Sequence, residues 1–277
     1  MLLIVSTIGG ISGVVLNIGR ECHTRSGPIW KGGDRPIQGQ TLSTTGFLHC
    51  VVQYLSNDLA NALVRYINPH VNQCIMALLE QPDRKRGFNK ERIIRVLLNH
   101  TGDDLTKYRL AQLSEASEPW TRQYTEKLEE QGLVEGTEVV APAGLYQTWL
   151  DQRIEPNQLE VSLQQPMDLI IETDLQYVLT TYQAENLHQG FLFTSTTDLY
   201  IVPEEINNWL AVVEENGLLG GGNTRIRVLD NHVFYNQQVV DGFSTVSLPQ
   251  LILDLLAEGG PCREAAEKLI DSYHGDQ

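Results

Sequence analysis

Between Phe88 and Val140 the chain carries helix starts and stops spaced so closely that only short helices fit between them. Phe88 to His100 reads as a first helix, with Ile93, Ile94, Val96 and Leu97 on its apolar side and Gly102 ending it. Thr106 caps a second helix, Lys107 to Ser114, whose Tyr108, Leu110, Ala111 and Leu113 supply core contacts. After the short Ala116-Ser117 connection, Ser117 is the next N-cap, Glu118 favours the positive end, and Pro119 sits in the first turn. Trp120, Tyr124 and Leu128 then fall at i, i+4 and i+8, a core stripe, until Gly132 stops the helix. Leu133-Val134 and Val139-Val140 flank Glu135-Gly136-Thr137, which reads as two short strands about a glycine turn.

Three short helices, a tight turn between the second and third, and a hairpin make the order of a winged helix-turn-helix. The run LAQLSEASEPWTRQYTEKLEEQGLVE closely resembles that superfamily, in which the third helix lies in the major groove. The resemblance implies that the positions away from the core stripe meet DNA: Thr121, Arg122, Gln123, Thr125 and Lys127, beside Glu126. Arg122 suits a guanine edge or a phosphate, Gln123 an adenine edge, and the threonines a phosphate or a thymine methyl. Lys107 joins the DNA-facing set, and Arg84, Lys85 and Arg86 would be phosphate contacts or an arm ahead of the first helix. The competing reading is a protein-contact module, because Glu118, Glu126, Glu129 and Glu130 oppose a polyanion.

Charge sharpens both readings. The 277 residues carry a formal −15. Residues 1–80 are net +1 and residues 81–110 are net +4, with 8 basic against 4 acidic side chains. Residues 111–150 are net −5, and residues 151–277, with 5 basic and 20 acidic, are net −15. Such polarity suggests division of labour along the chain.

Residues 1–80 read as an amino-terminal extension. Met1 to Gly19 has no charged side chain, but Ser6, Thr7, glycines and Asn17 interrupt its apolar runs, which argues against a spanning helix. No basic residue precedes Leu2, so a secretory signal is not supported. Residues 20–46 read as loop and Val51 to Ile67 as a helix stopped by Asn68-Pro69. Met76 heads a stretch that flows directly into the basic block, a second place at which the functional chain could start.

After a polar linker around Asp151–Pro156, residues 155–277 mix short strands and helices, an α+β domain behind the winged helix of residues 81–150. Strands are expected at Leu169–Ile171, Gly190–Phe193, Leu199–Val202, Ile226–Val228, His232–Phe234 and Val239-Val240. Helices are expected over Asp174–Thr181 with Ala184–Leu187, from Pro203 to Gly217, from Ser247, and from Pro261. Ser247 and Gln250 have capping-box spacing, and Asp254 lies one turn on, within reach of Gln250 or Arg263. Ser247, Gln250, Asp254 and Arg263 thus form an expected structural polar cluster.

The tail Val246-Ser247-Leu248-Pro249-Gln250-Leu251-Ile252-Leu253-Asp254-Leu255-Leu256, then Gly259-Gly260, Arg263 and Ala265-Ala266-Glu267-Lys268-Leu269, resembles the AbiEi family of antitoxins and transcriptional regulators. Gly222 to Val228 is similar to that family's middle region, and the likeness covers about residues 85–274. It implies a cytoplasmic, dimer-capable regulator that binds the operator of its own operon, with its carboxy-terminal domain opposing a nucleotidyltransferase-like toxin. The fold implied is a winged helix followed by an α+β domain of degenerate nucleotidyltransferase-like character.

Catalysis finds little support. Gly220-Gly221-Gly222 ahead of Arg225–Asp230 suggests a nucleotidyltransferase, but Asp230 is followed by Asn231-His232, so the second metal-holding acid is missing. Neither phosphate-cradling glycine motif is present, and the histidines form no i, i+4 metal pair. Cys262 follows Pro261 at a helix start, where a thiolate would be stabilised, although a small buried cysteine is the commoner case. The expectation is therefore a DNA-binding regulator without catalytic residues, metal or cofactor; the alternatives are a winged-helix adaptor that binds protein only and a nucleotidyltransferase.

Overall fold

The computed structural model describes residues 2–8, 11–17, 79–83, 85–102 and 104–275. The expected loop at 20–46, the helix at 51–67 and Arg84 lie outside these residues, as do the side chains of Lys85 and Arg86. The chain is mixed α+β. At the amino terminus β1 (Leu2–Ile8) and β2 (Ile11–Asn17) pair antiparallel in a unit of their own, Leu2 opposite Asn17 and Ile8 opposite Ile11. No described helix is long and apolar enough to cross a membrane.

In the second unit, α1 (Lys85–Asn99), α2 (Lys107–Leu113) and α3 (Glu118–Glu130) lead into a minimal hairpin of β3 (Val134–Glu135) and β4 (Glu138–Val139). The local signals act as read. Thr106 Oγ1 accepts the Arg109 N–H at 3.1 Å and caps α2. Gly132 takes φ +69°, so its N–H and that of Leu133 close the end of α3 on Glu129 and Leu128. Thr137 Oγ1 donates to the Leu105 carbonyl, and the Gly136 N–H donates to Glu129, so the hairpin is pinned to the helices.

A seven-stranded sheet follows, in the order β10-β11-β6-β7-β9-β5-β8. Its strands are β5 (Asn157–Leu163), β6 (Tyr177–Thr180), β7 (Thr197–Ile201), β8 (Gly217–Leu219), β9 (Thr224–Val228), β10 (Gln238–Val240) and β11 (Phe243–Thr245). The pairs β11–β6 and β7–β9 are parallel and the remainder antiparallel. Strand β7 is buried at all five positions, as a strand covered on both faces must be. The glycine turn into β9 is set by close approach: a Cβ on Gly222 would lie 2.3 Å from the Val161 carbonyl oxygen of β5.

Six further helices complete the unit: α4 (Pro142–Asp151), α5 (Pro166–Glu172), α6 (Thr181–His188), α7 (Ile206–Asn216), α8 (Leu248–Glu258) and α9 (Pro261–His274). Helix α8 is the hub, packing against α9, α6, α1 and α4, and it is buried from Pro249 to Leu255. One hydrophobic core runs from Leu79 to Leu269, so residues 81–150 and 155–277 share it.

Several expected elements differ. Leu169–Ile171 lies in α5, because Pro166 and Asp168 start a helix and a three-residue apolar run carries no period of its own. Tyr177–Thr180, expected as helix, is the strand β6, where its aromatic and branched side chains pair with β7. Gly190–Phe193 is loop, and His232–Phe234 is a 3₁₀ turn (Asn231–Phe234). The expected linker is partly the end of α4, and Ile154 beyond it is buried with its N–H bonded to Glu91 at 2.5 Å.

Candidate functional site

Two places gather the chemistry: the outer face of α3 and a chain of buried polar side chains running from α1 to α8. The buried face of α3 is Thr121, Tyr124, Thr125 and Leu128, at i, i+3, i+4 and i+7, with Trp120 half-buried and its ring stacked parallel to Tyr124 at 6.4 Å. Thr121 and Thr125, expected on the outer face, are therefore on the packed one. Their hydroxyls donate back to the carbonyls of Ser117 and Thr121 at 3.1 and 2.7 Å, leaving no polar atom to offer DNA.

The solvent face keeps Arg122, Gln123, Glu126 and Lys127. Arg122 is tied to Glu118 by Nη2–Oε1 at 3.0 Å, an exposed i, i+4 pair that water and salt loosen readily. Glu129 serves the hairpin and faces Lys107 at 3.9 Å. Glu135 and Glu138 on the hairpin are exposed. The face thus mixes both signs, with carboxylates in the majority.

In the interior, Arg95 of α1 is fully buried. Its Nε donates to Gln250 Oε1 at 2.9 Å, its Nη1 to His232 Nδ1 at 3.0 Å, and it lies over the Trp149 ring at 5.2 Å. Glu91 stands 3.8 Å away, and burial holds its carboxyl above the ordinary range. Gln250 passes the network on, donating from Nε2 to Asp254 at 3.1 Å. Asp254 also accepts from Tyr200 at 3.0 Å, Thr180 at 2.7 Å and Arg153 at 3.3 Å. A buried carboxylate with four side-chain donors is satisfied and closed to a substrate.

The expected cluster is corrected at two points. Arg263 is exposed and pairs with Glu267 at 3.6 Å; Arg153, which sequence spacing did not single out, takes its place beside Asp254. Ser247 makes no side-chain cap: its Oγ accepts Asn99 Nδ2 at 3.3 Å, and Gln250 is turned to Arg95 instead of back to the helix start.

A second buried carboxylate organises the sheet. Asp198 lies opposite Arg225 across β7 and β9, and takes it bidentately at 2.6 and 2.5 Å. Thr181 also donates to Asp198, Arg227 reaches it at 3.3 Å, and Glu258 faces Arg225 at 3.0 Å. Both arginines of the Gly222–Val228 segment are thereby engaged inside the fold. Asp230 is engaged too, bidentate with Arg92 at 2.5 and 2.6 Å, while Arg92 Nη1 holds Glu115 at 2.6 Å. An open groove of 510 Å³ borders this pair, lined by Gln81, Pro82, Asp83, Phe88 and Asn89.

No protein-family model, curated protein or solved structure matches the chain. Among the described residues, no group of three His, Cys, Asp or Glu side chains could hold a metal ion. Cys262 is buried, and burial pushes its thiol up, so the helix start does not produce a thiolate there.

Proposed function

We propose that the chain is a DNA-binding regulator in which α1, α2 and α3 with the β3–β4 hairpin act as a winged helix-turn-helix, and α3 is the reading helix. One observation carries this: α3 lies between a capped second helix and a pinned hairpin, and turns Arg122, Gln123 and Lys127 outward on a face free of core contacts. With Thr121 and Thr125 inside, Arg122 and Gln123 are the base readers and Lys107 and Lys127 the phosphate contacts. The tail's resemblance to the AbiEi family supports an antitoxin of a type IV toxin–antitoxin pair, acting in the cytoplasm as a dimer on its own operator and facing a toxin protein with its acidic part. A gel shift with the upstream region of its own gene at two salt concentrations tests the reading. Salt-sensitive binding weakened by Arg122→Ala is expected, and binding indifferent to that change removes α3 from the groove.

The carboxylates on the same face favour a second reading, a winged-helix adaptor that binds protein and not DNA. Glu118 already neutralises Arg122, and Glu126, Glu135 and Glu138 stand in the open. Absent or salt-insensitive DNA binding selects it. A nucleotidyltransferase has least support, because Asp230 after the glycine turn is given to Arg92.

A further inference from the structure

Phe193 is 95 % exposed, the most exposed large apolar side chain among the described residues, and it follows a loop that is tied down rather than loose. Glu185 of α6 is fully buried and spends its carboxylate on that loop, accepting the N–H groups of Phe191 at 3.1 Å and Leu192 at 2.7 Å. Asn186 Nδ2 donates to the Leu192 carbonyl at 2.9 Å, Gln189 Nε2 donates to the Ala265 carbonyl of α9 at 3.0 Å, and Leu192 itself is buried. Phe191 is held under Lys268, whose Nζ lies 3.4 Å from the ring centre. Burying a carboxylate is costly, and here it fixes the shape of a surface loop that ends in a bare aromatic ring.

We propose that residues 189–193 form a preformed protein-docking element, in which Phe193 seats in an apolar pocket of a basic protein partner. A large aromatic side chain on an already ordered backbone loses little entropy on binding, which is how interface anchors gain their effect. The basic character follows from charge: residues 151–277 carry 20 acidic against 5 basic side chains, so a positively rimmed pocket is drawn to this part. The same charge disfavours the equally acidic part of a second copy, or an anionic membrane, as the occupant at this loop. The proposal rests on the reading of the α+β part as partner-facing, and does not depend on α3 meeting DNA.

The test places the photo-crosslinking amino acid p-benzoylphenylalanine at position 193 of the full chain in cells, with the exposed position 204 as control. Adducts are identified by mass spectrometry, and binding is then measured between the purified partner and the purified chain. A position-193 adduct to a basic protein is expected, with affinity that falls with salt and drops about 30-fold in Phe193→Ser. Circular dichroism of that variant should match the parent, since the side chain has no place in the core. Four results overturn the proposal: no adduct beyond the control, adducts only to a second copy of this chain, an acidic partner, or affinity unchanged by Phe193→Ser. A gel shift of Phe193→Ser keeps the two readings apart, because DNA binding should survive the substitution.

Discussion

His232 donates its Nε2 proton to the carbonyl oxygen of Leu113 at 2.9 Å. A carbonyl can only accept, so the tautomer is fixed, and Nδ1 is left to accept from Arg95 Nη1 at 3.0 Å. Leu113 is the last residue of α2, just ahead of the turn that aims α3. Glu115 in the same turn is held by Arg92, which also grips Asp230 two residues before His232. The 3₁₀ turn of the sheet-bearing part therefore clasps the turn between α2 and α3 from two sides.

This clasp should make the fold acid-sensitive. Burial first, and then the Arg95 cation, push the His232 imidazole down to about 3 from an ordinary 6.5. The folded state keeps it neutral while the unfolded chain takes up a proton. Its contribution is therefore complete above about pH 6.5 and is lost as pH falls toward 3, by about 1.4 kcal/mol per pH unit within that window. His188 and His274 are lowered as well and act in the same direction. Urea midpoints taken from pH 7 to pH 4 should fall steadily, and His232→Gln should flatten the fall; parallel curves would show that this imidazole is not the group responsible.

Removing Asp254 should be far more damaging than removing Arg263. Asp254→Ala leaves the buried Arg153 with only the exposed Glu155 as its ion-pair partner and strands donors of Thr180, Tyr200 and Gln250, at a cost of about 3–5 kcal/mol. Arg263→Ala on the solvent face of α9 should cost under about 0.5 kcal/mol. Equal losses by chemical denaturation would refute the closed network drawn around Asp254.

The two threonines of α3 should be silent in DNA binding. Thr121→Val and Thr125→Val keep the shape and remove hydroxyls that touch only their own helix backbone, so affinity should stay within about twofold of the parent. Arg122→Ala and Lys127→Ala should weaken it, the lysine change lowering the salt slope by about 1. A large loss from either valine variant, with the fold intact, would put those positions back on the reading face.

Thr106→Ala should cost about 1 kcal/mol, because the Arg109 N–H loses its acceptor in a seven-residue helix with little else to start it. Thermal unfolding monitors this, and an unchanged midpoint would mean that packing of Leu110 and Ala111 alone forms α2.

What was legible in the sequence was local. Thr106, Gly132 and Gly136 act through neighbours a few residues away, so caps, stops and the hairpin turn could be read from them directly. A stripe of Trp120, Tyr124 and Leu128 leaves the threonines of α3 outside, whereas the packed helix turns their small side chains inward and leaves Trp120 half out. Helix α4 buries Leu145, Tyr146 and Trp149, whose i, i+1 and i+4 spacing suits one helix face. The contacts that define the interior join residues 101 to 155 positions apart, as in Arg153–Asp254 and Arg95–Gln250. No spacing rule reaches so far.

Arg95 belongs by sequence to α1, ahead of the β3–β4 hairpin, and by bonding to α8, the hub of the sheet-bearing part. A cut or graft near residue 152 would therefore not release two working pieces. It would leave a guanidinium without its acceptor on one side and Gln250 without its donor on the other. A ligand that occupied either part would therefore be felt as added stability by the whole.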